Sequence, residues 1–175
     1  MDTALPDLDL EAIRATARAN AQDLLETPVA PLHGATVQRL LCDTDTWMKL
    51  ELFQRTGSFK ARGALTAVRR LTPEQRARGI TAVSAGNHAV AAAFAAQQAG
   101  VSAKIVVLAS ANPARMALAR SYGAELLVAP DGAAGFAMVE ALVRDEGRTF
   151  IHPFEGESPS LGTATLGLEL SLIHI

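Results

Sequence analysis

The chain has 175 residues, of which 49% are hydrophobic, and its formal net charge is −2. This length and apolar content suffice for one packed core, and the mixed charges form no basic stripe for a nucleic-acid partner. No apolar stretch is long enough to span a membrane and the N-terminus is acidic, so we expect a cytoplasmic protein. A single cysteine, Cys42, excludes an internal disulfide and gives no support to a zinc site.

The first third of the chain predicts a helix, a loop and a short strand. Apolar residues at helical spacing from Asp9 to Leu25 predict an amphipathic helix that Pro28 ends. A loop follows, and TWMKLEL (residues 46–52) alternates apolar and charged residues as a strand does. Ser58 is predicted to cap a helix that runs to Leu71, and Pro73 to open a shorter helix that stops at Gly79.

The rest of the chain alternates strands with helices. The predicted strands are ITAVSA, AKIVVLA, ELLVAP and TFIHPF. The predicted helices between them run from His88 to Ala99, from Asn112 and Pro113 onward, and from Ala133 to Asp145. This alternation is typical of an α/β fold with a doubly wound parallel sheet that helices cover on both faces.

The stretch QRTGSFKARGA (residues 54–64) contains one of only three lysines, Lys60. If Ser58 caps the helix, Lys60 lies in its first turn, where the positive end of the helix dipole lowers the pKa of the amine. A neutral amine is a nucleophile that can form a Schiff base with an aldehyde cofactor and can then act as a general base. A solvated lysine on a capped helix is the alternative.

A second motif, SAGNHA (residues 84–89), lies between a predicted strand and the following helix. Open α/β sheets bind ligands at this edge, and the loop offers backbone N–H groups, a hydroxyl, an amide and an imidazole. A substrate carboxylate would fit such a loop. The alternative is an ordinary strand-to-helix turn with Asn87 as the helix cap.

Together these motifs resemble those of a known family. WMKLELFQRTGSFKARGA, SAGNHA, ARSYGAELLV and IHPFEGES…GTATLGLEL, in this order, resemble the serine/threonine dehydratases. These are fold-type II pyridoxal-phosphate (PLP) enzymes, related to the tryptophan synthase β-subunit. The resemblance implies that fold and pyridoxal 5′-phosphate as cofactor. It also implies that Lys60 is the Schiff-base lysine, that Asn87 supports the 3-hydroxyl of the cofactor, and that the loop holds the substrate carboxylate through Ser84, Ala85, Gly86, Asn87 and His88.

The resemblance also implies a domain organisation. The family's glycine-rich phosphate cup and the residue facing the pyridine nitrogen have no counterpart, so we expect a chain truncated before the second half of the large domain. Residues 1–45 would begin the large PLP domain, residues 46–150 would form a small α/β domain carrying Lys60 and the SAGNH loop, and residues 151–170 would return to the large domain. Residues 171–175 are expected to be non-native, because LSLIHI is also the translation of a transposon-end adapter.

The implied reaction is the dehydration of serine, threonine or a similar β-hydroxy amino acid to a 2-keto acid and ammonia. TGSFKARGA is the form found in dehydratases and racemases, and racemases often have a serine at the position of Ala85. Alternatives are an inactive fragment, or a related racemase or β-replacement enzyme. A nucleotide-binding Rossmann domain is disfavoured because no G-x-G-x-x-G follows a strand. We expect a homo-oligomer at full length and no metal, with His152 in a structural role.

Overall fold

The structure, a computed structural model, describes residues 8–42 and 44–173. Its helices, apart from a 3₁₀ turn at Glu51–Phe53, are α1 (Leu10–Asn20), α2 (Ala35–Leu41), α3 (Lys60–Arg69), α4 (Pro73–Arg78), α5 (Asn87–Ala99), α6 (Pro113–Ser121), α7 (Gly132–Glu146) and α8 (Glu157–Ile173). Its strands are β1 (Val29–Pro31), β2 (Trp47–Lys49), β3 (Ile80–Val83), β4 (Ala103–Leu108), β5 (Glu125–Ala129) and β6 (Thr149–Phe150). Among the helices of these residues, none has the length and apolar character that crossing a membrane requires.

The main sheet has four parallel strands in the order β5-β4-β3-β6. Alternate residues of β4 point to opposite faces, so that Ile105 joins one apolar cluster and Val106 the other. The first cluster contains α5 and the apolar side chains of α3, and the second contains Val139 and Leu142 of α7. Helices therefore cover both faces, which confirms the predicted doubly wound parallel sheet.

Helix α5 lies at the centre of the larger cluster. Residues 88–96 of α5 are all buried, and six of these nine residues are alanine. A helix without a polar face must be enclosed, and small side chains let α3 and the sheet approach it closely. The helix starts directly after the carboxyl end of β3, which fixes the SAGNH loop at the ligand-binding edge of the sheet.

Helices α3 and α8 cross at very close range because glycines occupy the contact. A Cβ built on Gly162 would lie 2.3 Å from the carbonyl oxygen of Arg62, and one on Gly63 would lie 3.0 Å from that of Pro159. Neither position has room for a side chain. The crossing places the first turns of α8 beside the first turn of α3, where Lys60 lies.

Several predicted bounds differ from the structure. The first helix ends at Asn20, whose buried side chain donates a hydrogen bond to Thr66 on α3 instead of continuing the solvent-facing pattern. The predicted loop before residue 46 contains β1 and α2, which are short and carry no apolar stripe. Of TFIHPF only Thr149–Phe150 is strand, since Pro153 has no N–H for the ladder and His152 turns the chain.

Candidate active site

Lys60 is the first residue of α3, as its motif predicted, but Ser58 does not cap the helix. The N-cap is Phe59, which makes no side-chain capping bond, and the buried hydroxyl of Ser58 has no hydrogen-bond partner. Phe59 already has helical dihedral angles (φ −59°, ψ −16°), so Ser58 lies one position too early to reach the orphan N–H groups. The capping prediction was wrong, while the placement of Lys60 in the first turn is confirmed.

The amine of Lys60 is held by a carbonyl and two aromatic rings. Its Nζ donates to the carbonyl oxygen of Pro153 at 2.7 Å and lies 3.7 Å from the ring centre of Phe154 and 4.9 Å from that of Phe59. Within the described part of the chain it makes no ion pair, whereas the other two lysines each pair with a glutamate. Burial lowers the pKa of Lys60 below its usual value.

A cavity of about 330 Å³ opens in front of this amine. Its walls come from the first turns of α3 and α8, from the 152–154 segment after β6, and from His88 at the start of α5. Most of the lining is apolar, and Lys60, His88 and His152 supply its ionisable groups. Such an enclosure, with few polar groups converging on one reactive amine, is the usual form of a small-molecule site.

The SAGNH loop continues from this wall. The Ser84 hydroxyl accepts the N–H of Gly86 at 3.0 Å and keeps its own proton for a ligand, while the side chain of Ala85 is exposed. A Cβ built on Gly86 would meet nothing within 4 Å, so the backbone borders open space. The first N–H groups of α5 have no acceptor within the helix, and they give the loop the character of an anion site.

Asn87 is not the helix cap. The N-cap of α5 is Gly86, and the side-chain oxygen of Asn87 accepts a hydrogen bond from the Arg115 guanidinium on α6. Arg115 was not among the predicted site residues. The signal that could have identified it is topological, because β3 and β4 are adjacent parallel strands and the helices that follow them start at the same edge.

His88 is buried at the junction of the loop and the cavity. Its Nε2 donates to the carbonyl oxygen of Ile151 at 2.9 Å, so the ring ties α5 to the chain after β6. Burial is the main cause that lowers the pKa of His88 to about 4, and the positive charges of Lys60 and His152 lower it further. The imidazole is therefore neutral at physiological pH.

The comparisons with known proteins agree with this geometry. The family described as "Pyridoxal-phosphate dependent enzyme" matches residues 21–173. The chain belongs to this family. Phenylserine dehydratase of Ralstonia pickettii is 47% identical over 167 residues, which are 95% of this chain and 50% of that protein. The catabolic L-threonine dehydratase of Staphylococcus aureus is 37% identical over 127 residues, which are 72% of this chain and 37% of that protein.

Solved structures show the same PLP-enzyme fold. Threonine deaminase from the organism abbreviated T.th. has a TM-score of 0.80 and 36% identity, with 94% of this chain and 51% of that chain covered. Maize serine racemase has a TM-score of 0.86 and 28% identity, with 95% and 50% covered. The chain spans about half the length of these relatives. The fold is thus the tryptophan synthase β-like PLP fold.

The residues at the cavity fit the family's cofactor, pyridoxal 5′-phosphate. An aldehyde requires an amine that is accessible and partly neutral, and Lys60 has a lowered pKa, faces the cavity and has no carboxylate partner within the described residues. A metal would need a group of acidic, histidine or cysteine ligands, and residues 8–42 and 44–173 contain no such group. The donor set therefore suits an aldehyde cofactor.

Proposed function

We propose that this chain carries the lysine-bearing part of a PLP-dependent dehydratase. The reaction converts serine, threonine or a similar β-hydroxy amino acid to a 2-keto acid and ammonia. The observation that carries the proposal is the Lys60 amine, which faces a cavity with a lowered pKa and without an ion pair. The phenylserine and threonine dehydratases among the relatives support this reaction class.

Pyridoxal phosphate, when bound, supplies an electron sink for the charge that develops at the substrate α-carbon. Lys60 holds the cofactor through its Nζ and, once released, takes the α-proton. Asn87 orients the cofactor at its 3-hydroxyl. The carboxylate of the amino acid binds to Ser84, to the backbone of Ala85 and Gly86, and to the start of α5 at Asn87 and His88. The apolar cavity walls exclude water from the amine.

The proposal includes the organisation of the whole protein. Residues 46–150 form the small domain, and residues 1–45 and 151–170 belong to the large domain. The packing supports this division, because α1 and α8 lie together on α3, on the side away from the main sheet. We further propose a cytoplasmic homo-oligomer that acts on a small amino acid and has no nucleic-acid partner.

Reduction of the cofactor linkage tests the role of Lys60. The chain is mixed with pyridoxal phosphate, reduced with borohydride and mapped by peptide mass spectrometry. We expect label at Lys60, with Lys49 and Lys104 as internal references because each is held in an ion pair with a glutamate. The K60A variant should lose the label and keep its circular dichroism. Label at Lys49 or Lys104 in place of Lys60 would disprove the assignment.

Racemisation is the second candidate, and the similarity to maize serine racemase favours it. A second proton carrier would be needed on the face opposite Lys60, and Ala85 has neither an acid nor a base. We therefore expect the whole protein to eliminate water much faster than it racemises L-serine, and A85S to raise racemisation. Chiral chromatography of the residual serine measures this, alongside keto-acid release from serine, threonine and phenylserine. Equal D-serine formation before and after the change would count against this role of Ala85.

A further inference from the structure

We propose that His152 is a positioning residue for Lys60, and that it acts by folding residues 152–155 into a turn that encloses the amine. The inference deepens the proposed function, because it rests on Lys60 as the reactive group. His152 lines the same cavity as Lys60 without touching Nζ, so its effect must pass through Pro153 and Phe154.

The turn is built on one lone pair of the His152 ring. Nδ1 accepts the backbone N–H of Phe154 at 3.2 Å and that of Glu155 at 2.7 Å. Aspartate and asparagine fold turns in the same way, with a side-chain oxygen that accepts N–H groups two and three residues ahead. Because Nδ1 accepts, the neutral ring carries its proton on Nε2, which lies 4.0 Å from the Glu155 carboxylate.

Neighbouring contacts fix both the ring and the turn. The His152 ring meets Phe150 and Phe154 edge to face, with ring centres 5.5 Å and 6.5 Å apart. The residue before the turn is anchored at both backbone groups, since the N–H of Ile151 donates to Thr81 in β3 and its carbonyl accepts from His88. The freedom that remains lies in residues 152–155, where the Nδ1 bonds act.

The product of this turn is the environment of Lys60. It directs the Pro153 carbonyl at Nζ and lays the Phe154 ring over it, although the Phe154 side chain is otherwise 72% exposed. Both groups hold the ammonium that forms when Lys60 takes up a proton, and neither adds a permanent negative charge. The titratable groups near the amine are His88 from α5 and, from the turn itself, His152 and the exposed Glu155.

Variants at His152 separate the acceptor from the ring. H152N places an oxygen close to the position of Nδ1 and keeps the turn, H152F keeps the aromatic contacts without an acceptor, and H152L removes both. H33F is the matched control, because His33 is exposed in a distant loop. The rate of reductive methylation by formaldehyde is followed at the three lysines across a pH series, by peptide mass spectrometry.

We expect the pH midpoint for Lys60 to move upward in H152F and H152L, because water that enters the opened turn solvates the ammonium. The midpoint should stay at the wild-type value in H152N and H33F, and Lys104 should be unchanged throughout. An unmoved midpoint in H152F and H152L, or an equal shift in H152N, would overturn the proposal. So would unfolding of both acceptor-free variants while H152N folds, since the acceptor would then stabilise the whole chain. Methylation needs no cofactor, so failure of Lys60 to bind pyridoxal phosphate would be seen separately.

Discussion

Helix α3 carries two cations, Lys60 and Arg62, and the protein treats them in opposite ways. Arg62 is 1% exposed and donates to both oxygens of Glu51 at 2.8 Å and to both oxygens of Glu169 at 2.6 and 2.9 Å. Lys60 meets only a carbonyl and aromatic rings. Two residues along a helix turn the side chains to different sides, so one cation faces the α8 carboxylate and the other faces the cavity.

The pKa directions express the same contrast. Burial would lower the pKa of Arg62, but the hydrogen bonds and charges of Glu51 and Glu169 raise it well above its usual value. The pKa of Lys60 falls because burial is not offset by a carboxylate. A cation that holds the fold is thus fully neutralised, whereas a cation that must lose its proton to react is left without a counter-ion.

The largest effect is expected on the Arg62 side. R62M leaves Glu51 and the partly buried Glu169 without their shared partner, and Lys49 can compensate only Glu169. We expect a loss of about 3–5 kcal/mol in the free energy of unfolding, the usual range for breaking a buried pair from one side. Urea denaturation followed by circular dichroism measures it.

The control is R70M, since Arg70 pairs with Glu157 at the surface of the same two helices and both side chains are about half exposed. Exposed pairs contribute about 1 kcal/mol or less. If R62M and R70M destabilised the chain equally, the distinction between the two faces of α3 would be lost.

The second effect concerns His88, which shares the cavity wall with Lys60. Its pKa of about 4 in the folded chain lies below the ordinary 6.5, so the unfolded chain binds the proton more tightly. The stabilisation is complete above pH 6.5 and is lost as the pH falls toward 4, at about 1.4 kcal/mol per pH unit and roughly 3 kcal/mol in all.

The variant H88Q should remove that part of the slope. Urea unfolding of the two chains is compared above pH 5, where carboxylates contribute little, and H33Q serves as the exposed-histidine control. Parallel curves for the wild type and H88Q would show that the imidazole is not held neutral, and that a second charge is tolerated beside Lys60.

Sequence reasoning succeeded where the signal is local. Apolar strands alternating with helices predict the parallel sheet, and the glycine and serine before Lys60 mark a helix start to within one or two residues. The SAGNH loop was placed correctly because its position follows from the strand that precedes it. These features depend on periodicity and on turn chemistry over a few residues.

The missed features depend on contacts between distant residues. Arg115 meets Asn87 from the helix after the next strand, and Gly162 meets the backbone of Arg62, 100 positions earlier in the chain. Neither pairing has a spacing that a single sequence displays. His152 differs, because its turn is local, but a histidine that accepts two N–H groups has no pattern as familiar as that of asparagine.

The third prediction concerns the contact between the two faces of α3. In G162A the new Cβ would lie 2.3 Å from the Arg62 carbonyl oxygen and 2.5 Å from the Thr66 hydroxyl, so α8 must move away. We expect a loss of about 1–3 kcal/mol in the free energy of unfolding, as for other overpacked sites. Gly167 lies in the same helix with nothing within 4 Å of a Cβ, so G167A should be neutral or stabilising. Equal losses would mean that the crossing is looser than the structure indicates.

The smallest effect is expected at Lys60 itself, and it completes the comparison. In K60M an apolar chain of similar length replaces an ammonium that burial disfavours, so the free energy of unfolding should be unchanged or up to about 1 kcal/mol higher. The same variant should lose all labelling by pyridoxal phosphate and borohydride at this position. R62K is its counterpart, since it keeps a charge but cannot bind two carboxylates at once, and it should lose stability while Lys60 is still labelled. If K60M were destabilised as strongly as R62M, Lys60 would be a structural cation like Arg62, and a role in chemistry would no longer explain why it lacks a counter-ion.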